Sequence, residues 1–192
     1  MRKFGRKTLS LLVVLFLFIS PAFYSPVQAQ AVTEISSAAQ LQGISMNGSY
    51  RLTADIVLTS SWTPLGSEAA PFTGTLDGGG HKIRNLTISN TQQSNQGLFG
   101  FIGPTGKVIN LRVENAFVTA DDSAGILAGV NQGTISRVSV QGTITGGSSV
   151  GGLVGTNSGP ISNSYANATV TGENYNGGLV GSNSGTLTNT YA

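Results

Sequence analysis

Cysteine is absent from all 192 residues, histidine occurs once, and only 9% of the side chains carry charge. Without thiols there is no disulfide framework, no cysteine nucleophile and no thiolate metal site. With His81 as the sole imidazole, there is neither a histidine-based metal cluster nor a His-Glu-x-x-His signature. Charge of one sign is also unevenly placed: of ten basic residues, four (Arg2, Lys3, Arg6 and Lys7) stand in one N-terminal run. Beyond that run, six basic residues face eight acidic ones, a net charge of −2. Such a chain has no basic patch with which to recruit nucleic acid or an anionic membrane, so neither partner is expected.

The basic run opens a segment that reads as a secretory signal over 1–31. Leu9 to Ile19 forms an apolar core of 11 residues, and the small residues that follow allow cleavage after Ala29 or after Ala31. A membrane span needs about 20 apolar residues, so an uncleaved anchor is the weaker reading. No later stretch is apolar enough to span once the signal is removed, and the product is expected outside the cell.

What the chain has in abundance is glycine, 27 residues, set in a repeating phrase. Gln96-Gly97-Leu98-Phe99-Gly100 and Ala124-Gly125-Ile126-Leu127-Ala128 are looser versions of Gly151-Gly152-Leu153-Val154-Gly155 and Gly177-Gly178-Leu179-Val180-Gly181. A second glycine recurs downstream at Gly106, Gly133, Gly159 and Gly185, at spacings of 27, 26 and 26. After each comes the same ladder of residue types. Two positions on stand Val108, Ile135, Ile161 and Leu187; five on, Leu111, Val138, Ser164 and Thr190; seven on, Val113, Val140, Ala166 and Ala192; eleven on, Phe117, Ile144 and Val170. Offsets five, seven and eleven share a parity, the period of a strand with one buried face.

A unit of about 26 residues cannot bury a face alone and acquires a core by stacking on a copy of itself. The expected fold is all-β: a right-handed parallel β-helix, or β-solenoid, whose rungs lie about 4.8 Å apart. Asn131, Asn157 and Asn183 stand two residues before the turn glycines, and Asn163 and Asn189 four after two of them. Asparagine suits left-handed turns, and stacked copies can hydrogen-bond from coil to coil. The alternative is that these residues merely mark surface turns.

The Gly-Gly-Leu-Val-Gly-x-Asn-x-Gly phrase, at 151–159 and 177–185, resembles the GLUG motif of bacterial surface and secreted proteins. The resemblance covers about half the chain. It implies a parallel β-helix in an exported protein, an adhesin-like stalk or a non-catalytic part of a larger surface protein, and it implies no reaction. Residues 97–192 are accordingly read as GLUG-type repeats of 26–28 residues, the last one incomplete.

Residues 32–96 form the N-terminal cap and first irregular coils. Ser37-Ala38-Ala39-Gln40 has capping-box spacing, and Leu41 and Ile44 follow, so a short capping helix is expected before Asn47-Gly48. Strands are expected at Tyr50–Thr53, Ile56–Leu58, Phe72–Leu76 and Lys82–Ile88, with Ile83, Leu86 and Ile88 facing in. The phrase over 72–88 is similar to one that opens many right-handed β-helix domains.

Candidates for chemistry are few. Gly78-Gly79-Gly80 after Asp77 lacks the helix a phosphate cradle needs, and reads as a turn in which Asp77 bonds backbone amides. Asp121-Asp122 are adjacent, hence on opposite faces of a strand, whereas paired glycosidase carboxylates share a face; a solvated turn or a calcium ligand fits better. No catalytic, cofactor or metal residue is expected. The candidate ligand face is Tyr165, Tyr191, Asn163 and Asn189, with Arg112 and Ser139 in the tyrosine column; the rings either bind glycans or host and neighbour-cell proteins, or only brace the ladder. The function expected is a non-enzymatic adhesive or spacer module. Its alternatives are a β-helix polysaccharide lyase or hydrolase and a non-catalytic fragment of a surface protease. The unfinished fourth repeat further predicts fraying over about the last 15 residues or end-to-end self-association.

Overall fold

The computed structural model describes residues 31–192; the leader read over 1–31 lies outside them but for Ala31. The chain is a parallel β-solenoid. It begins with strand β1 (Val32–Ile35), helix α1 (Ala38–Gln42), β2 (Ser49–Leu52) and β3 (Ile56–Val57). One coil then comprises β4 (Thr75–Asp77), β5 (Lys82–Arg84), β6 (Thr87–Ser89) and β7 (Phe99–Ile102). The next holds β8 (Lys107–Ile109), β9 (Arg112–Thr119), β10 (Ala124–Gly125) and β11 (Ala128–Asn131). Two regular coils follow: β12 (Thr134–Ser136), β13 (Ser139–Thr145), β14 (Ser148–Gly151) and β15 (Val154–Asn157), then β16 (Ile161–Ser162), β17 (Tyr165–Thr171), β18 (Asn174–Gly177) and β19 (Val180–Asn183). Strand β20 (Leu187–Thr188) starts another turn.

Each coil crosses four faces. The first is a 7-stranded sheet in the order β1-β2-β4-β8-β12-β16-β20, the second a 6-stranded sheet built on β17-β13-β9-β5-β3, the third β10-β14-β18 and the fourth β19-β15-β11-β7. Pairing is parallel throughout, with Ile135 beside Ile161 and Val154 beside Val180. Strands β17, β18, β19 and β20 are the outermost of their sheets.

The inner columns are those the glycine spacing outlines. Val108, Ile135 and Ile161 are buried, as are Leu111, Val138 and Ser164, and Val113, Val140 and Ala166. Between offsets two and five the chain turns a corner, at Asn110, Arg137, Asn163 and Asn189, all with φ between 49° and 54°. That left-handed residue lets positions of opposite parity both face the core, and asparagine adopts it more readily than most L-residues. A second left-handed column, Asn95, Ser123, Ser149 and Tyr175, turns the chain into the third face.

Two alignments read from the sequence are displaced. Phe117 is not the counterpart of Ile144: Val118 pairs with it and is buried, while Phe117 is 51% exposed. The cause is a bulge at Glu114–Asn115, where β9 holds two residues against the single Gln141 of β13 and Asn115 takes φ 54°. This bulge accounts for the one long spacing. Asn85, opposite Asn115 with φ 63°, makes the same break one coil earlier and allows Ile83, Leu86 and Ile88 all to face in. Likewise Gly125 pairs with Gly151 rather than Gly152, and Gly129 rather than Ala128 is the counterpart of Gly155. Ile126 occupies the place of Gly152, so matching the phrases by their Gly-Leu pair slips the register by one.

The glycine column Gly106, Gly133, Gly159 and Gly185 is required by close approach, not by backbone handedness. None has positive φ, and a Cβ on any of the last three would strike the carbonyl oxygen of the glycine one coil earlier. At the N-terminal end the helix is as expected, with Ser37 Oγ accepting from the Gln40 amide at 3.3 Å and Leu41 fully buried. Gln40 Oε1 returns to the Ser36 amide at 2.9 Å. The strand before it, β1, was not legible; Val32, Thr33 and Glu34 are exposed and only Ile35 is buried, so little apolar pattern announces it.

Candidate functional site

Side chains that leave the second face outward at its first position form a column along the solenoid: Lys82, Arg112, Ser139, Tyr165 and Tyr191. The structure thus brings Tyr165 and Tyr191 together as the sequence suggests. Their rings stack at a centroid separation of 4.9 Å and 3° between planes, with Tyr165 38% and Tyr191 64% exposed. Beside them Asn189 Nδ2 donates to Asn163 Oδ1 at 3.2 Å across the corner. The corner column continues upward through Arg137, whose Nε donates to Asn110 Oδ1 at 2.6 Å, to Asn110, whose Nδ2 donates to Asp77 Oδ1 at 2.8 Å. Between corner column and outward column lies an open groove of about 400 Å³, floored by Val138 and walled by Asn110, Arg112, Arg137, Ser139, Asn163 and Tyr165.

Sequence reasoning placed Arg112 and Ser139 here but missed Arg137 and Asn110. Both stand four residues after a turn glycine, the offset of Asn163 and Asn189, so the signal existed; an arginine among asparagines concealed it.

The other asparagines do a different job. Asn131 and Asn157 are fully buried, and Asn131 Nδ2 donates to Asn157 Oδ1, as Asn157 Nδ2 does to Asn183 Oδ1, at 2.7 Å each. Each Nδ2 also donates to the carbonyl of its own turn glycine, Gly133, Gly159 or Gly185. This column is an internal amide ladder, not a binding surface.

The remaining candidates make contacts within and between coils. Asp77 Oδ1 accepts from the Gly79 amide at 2.9 Å, in the turn expected there. Asp122 Oδ1 accepts from the Ser148 amide at 2.6 Å and Asp121 Oδ2 from Ser94 Oγ at 3.3 Å, so both carboxylates tie neighbouring coils. Among the described residues no group of three or more His, Cys, Asp or Glu side chains converges as a metal site. His81 Nδ1 lies 3.4 Å from Asp55 Oδ1 on the exposed second face.

Asp55 and Glu114 anchor a surface ion cluster with Lys82 and Arg84. Lys82 Nζ reaches Glu114 at 2.8 Å, and Arg84 reaches Glu114 at 3.3 Å and Asp55 at 3.6 Å. The Lys82 amide, followed by His81 and Arg84, holds the Asp55 carboxyl below its ordinary 3.8, and the hydrogen bond from Lys82, with Arg84, holds Glu114 below its ordinary 4.5. A carboxyl depressed on folding stabilises above its unfolded pKa, and that contribution is lost as pH falls through the folded value. Melting temperature should therefore fall as pH drops below about 4.5, and fall less steeply in Glu114→Gln. Thermal melts by circular dichroism at several pH values test this. Equal pH dependence in both proteins would show that the cluster is energetically idle, as many exposed ion pairs are.

The described residues form a repeat solenoid whose flanks carry columns of side chains in register. The family model for the GLUG motif matches residues 146–171, the span from the end of β13 through β17. The chain thus carries a GLUG motif over that span, one copy of the phrase that recurs along the solenoid. It is 41% identical over 132 residues to Halomucin of Haloquadratum walsbyi, covering 59% of this chain and 1% of that protein. It is 40% identical over 102 residues to a provisionally named Gly-rich membrane protein of Evansella cellulosilytica, covering 48% and 12%. The chain thus spans a small fraction of either relative. A crystal structure described as a provisional immunoglobulin A1 protease of Bacteroides ovatus aligns with TM-score 0.46 at 20% identity, over 83% of this chain and 74% of that one. Among the described residues no helix is long and apolar enough to cross a membrane.

Proposed function

We propose that this chain is an exported, non-enzymatic solenoid module that serves as an adhesive or spacer segment at the cell surface. The observation that carries the reading is the Tyr165–Tyr191 stack, two exposed rings in register one coil apart beside the Asn163–Asn189 pair. Aromatic faces flanked by amides suit sugars and protein surfaces, because they combine apolar area with directional hydrogen bonding at little conformational cost. A rigid ladder presents them without further ordering, which lowers the entropic penalty of binding. One relative is named a membrane protein, in keeping with a location at the cell boundary.

The test is retention of the labelled chain on bacterial or host cells. Tyr165→Ala combined with Tyr191→Ala should reduce retention several-fold while melting temperature changes little, since both rings are exposed. Full retention in the double variant removes the site, and a large melting shift assigns the rings to bracing the ladder. Incubation with mixed polysaccharides should yield no new reducing ends and no unsaturated products. Either product would replace the adhesive reading with a glycan-cleaving one.

A further inference from the structure

We propose that the groove between Arg112, Arg137 and Tyr165 is a slot for a carboxylated saccharide. The inference deepens the surface-module reading and rests on it. Three features combine in one place: an uncovered aromatic face, two cations without counter-ions among the described residues, and a missing layer of side chain.

The missing layer comes from the outward column. Tyr191 covers one face of the Tyr165 ring, so the other face points toward the rung of Ser139, the pairing partner on the opposite side. Serine is too small to cover it. One rung further stands Arg112, so Tyr165 and Arg112 are separated by two rungs, roughly 9.6 Å, with only a hydroxymethyl group between. That is the thickness left when one layer is removed from a stack, and the groove of about 400 Å³ lies against it. A pyranose ring can enter as the absent layer, its apolar face on Tyr165.

The charge arrangement specifies the substituent. Among the described residues no carboxylate lines the groove on its corner side, and on the other side of Arg112, Ser139 and Tyr165 the one carboxylate is that of Glu114. Glu114, two residues beyond Arg112 on the same strand, is engaged by Lys82 and Arg84, and Asp77 accepts from Gly79 and Asn110. Among the described residues the Arg112 guanidinium makes neither an ion pair nor a hydrogen bond, and Arg137 uses only its Nε, toward Asn110. Arg137 also departs from its column: asparagine fills the other three corner positions, whereas here a long side chain is held at φ 54°. A residue kept in an unfavourable backbone region beside a groove points to use of its side chain there. Two free guanidinium forks match a planar carboxylate in bidentate fashion. The amides of Asn110 and Asn163 and the Ser139 hydroxyl supply partners for sugar hydroxyls. The net charge of −2 beyond the N-terminal basic run and this short cationic stretch disfavour a long polyanion.

Calorimetric titration of the protein with a galacturonate trimer and a hyaluronan tetramer tests the proposal, with the methyl-esterified galacturonate trimer as the uncharged control. At least one free acid should bind, about tenfold more tightly than its uncharged form or than neutral maltotriose. Arg112→Gln and Arg137→Gln should each weaken binding by about tenfold. Ser139→Tyr should abolish it while melting temperature holds or rises, because the new ring continues the Tyr165–Tyr191 stack. That variant guards against misfolding as the cause of lost affinity. Binding unchanged by esterification, or by Ser139→Tyr, overturns the slot, as does absence of binding by both acids. If both acids fail but cell retention still depends on Tyr165 and Tyr191, the surface-module reading survives; if retention is also independent of the tyrosines, both readings fall.

Discussion

Leu153→Asp should abolish cooperative folding. Leu153 is fully buried in a column running Leu98, Leu127, Leu153 and Leu179, and its main chain is part of the ladder: its amide donates to Leu179 at 2.8 Å and its carbonyl accepts from Leu127 at 2.9 Å. Truncation to alanine removes apolar contacts and leaves a cavity, at a cost of about 2–5 kcal/mol. An aspartate at the same place adds a carboxylate to a core in which no Lys or Arg is buried among the described residues, and an uncompensated buried charge is worth several kcal/mol more. The total rivals the roughly 5–15 kcal/mol that holds a domain together. Position matters as much as magnitude. In a solenoid each coil rests only on its neighbours, so a defect at Leu153 severs the coils after it from those before. Thermal melts and hydrogen exchange read the result: Leu153→Asp should lack a cooperative transition and lose protection from about Val150 onward, whereas Leu153→Met should melt within a few degrees of the parent. A cooperative melt for the aspartate variant, close to the parent's, would mean that the column is not the core.

The fold was legible because its core is written as columns. Offsets two, five and seven from the turn glycines name buried residues in every complete coil, from Val108, Leu111 and Val113 to Ile161, Ser164 and Ala166. What escaped is what changes parity or count without changing residue type. A left-handed corner residue looks like any other asparagine, and at Arg137 it does not look like a corner at all. The one-residue bulge at Glu114–Asn115 moves Phe117 outward and Val118 inward, yet both are apolar and either could have filled the column. The site was half legible for a related reason. A stack of tyrosines announces itself through two large side chains, whereas the slot beside it is created by the smallness of Ser139. Position within the column, not the identity of the serine, gives it meaning.

The asparagine ladder yields a prediction whose sign distinguishes it from general core damage. Asn157 sits mid-ladder and fully buried, accepting from Asn131 at 2.7 Å and donating to Asn183 at 2.7 Å and to the Gly159 carbonyl at 2.9 Å. Asn157→Asp preserves shape and the acceptor for Asn131, but turns both donors into lone pairs facing the oxygens of Asn183 and Gly159. At neutral pH the variant should lose about 3 kcal/mol or more, through a buried charge and two unsatisfied acceptors. Burial without a cation raises the folded-state pKa of that aspartate above its unfolded value of about 3.9. Between those two values the folded state binds more protons than the unfolded one, so stability rises as pH falls. The protonated carboxyl can then donate one hydrogen bond back into the ladder. Denaturant titrations from pH 7 down to about pH 5 should therefore show Asn157→Asp recovering stability, while Asn157→Ala, which cannot titrate, stays low and the parent stays level. This window lies above the ordinary pKa values of the Asp55–Glu114 cluster, 3.8 and 4.5, and so is free of its acid loss. If Asn157→Asp tracked the alanine variant across the window, the amide chain would be a packing column whose hydrogen bonds contribute nothing of their own.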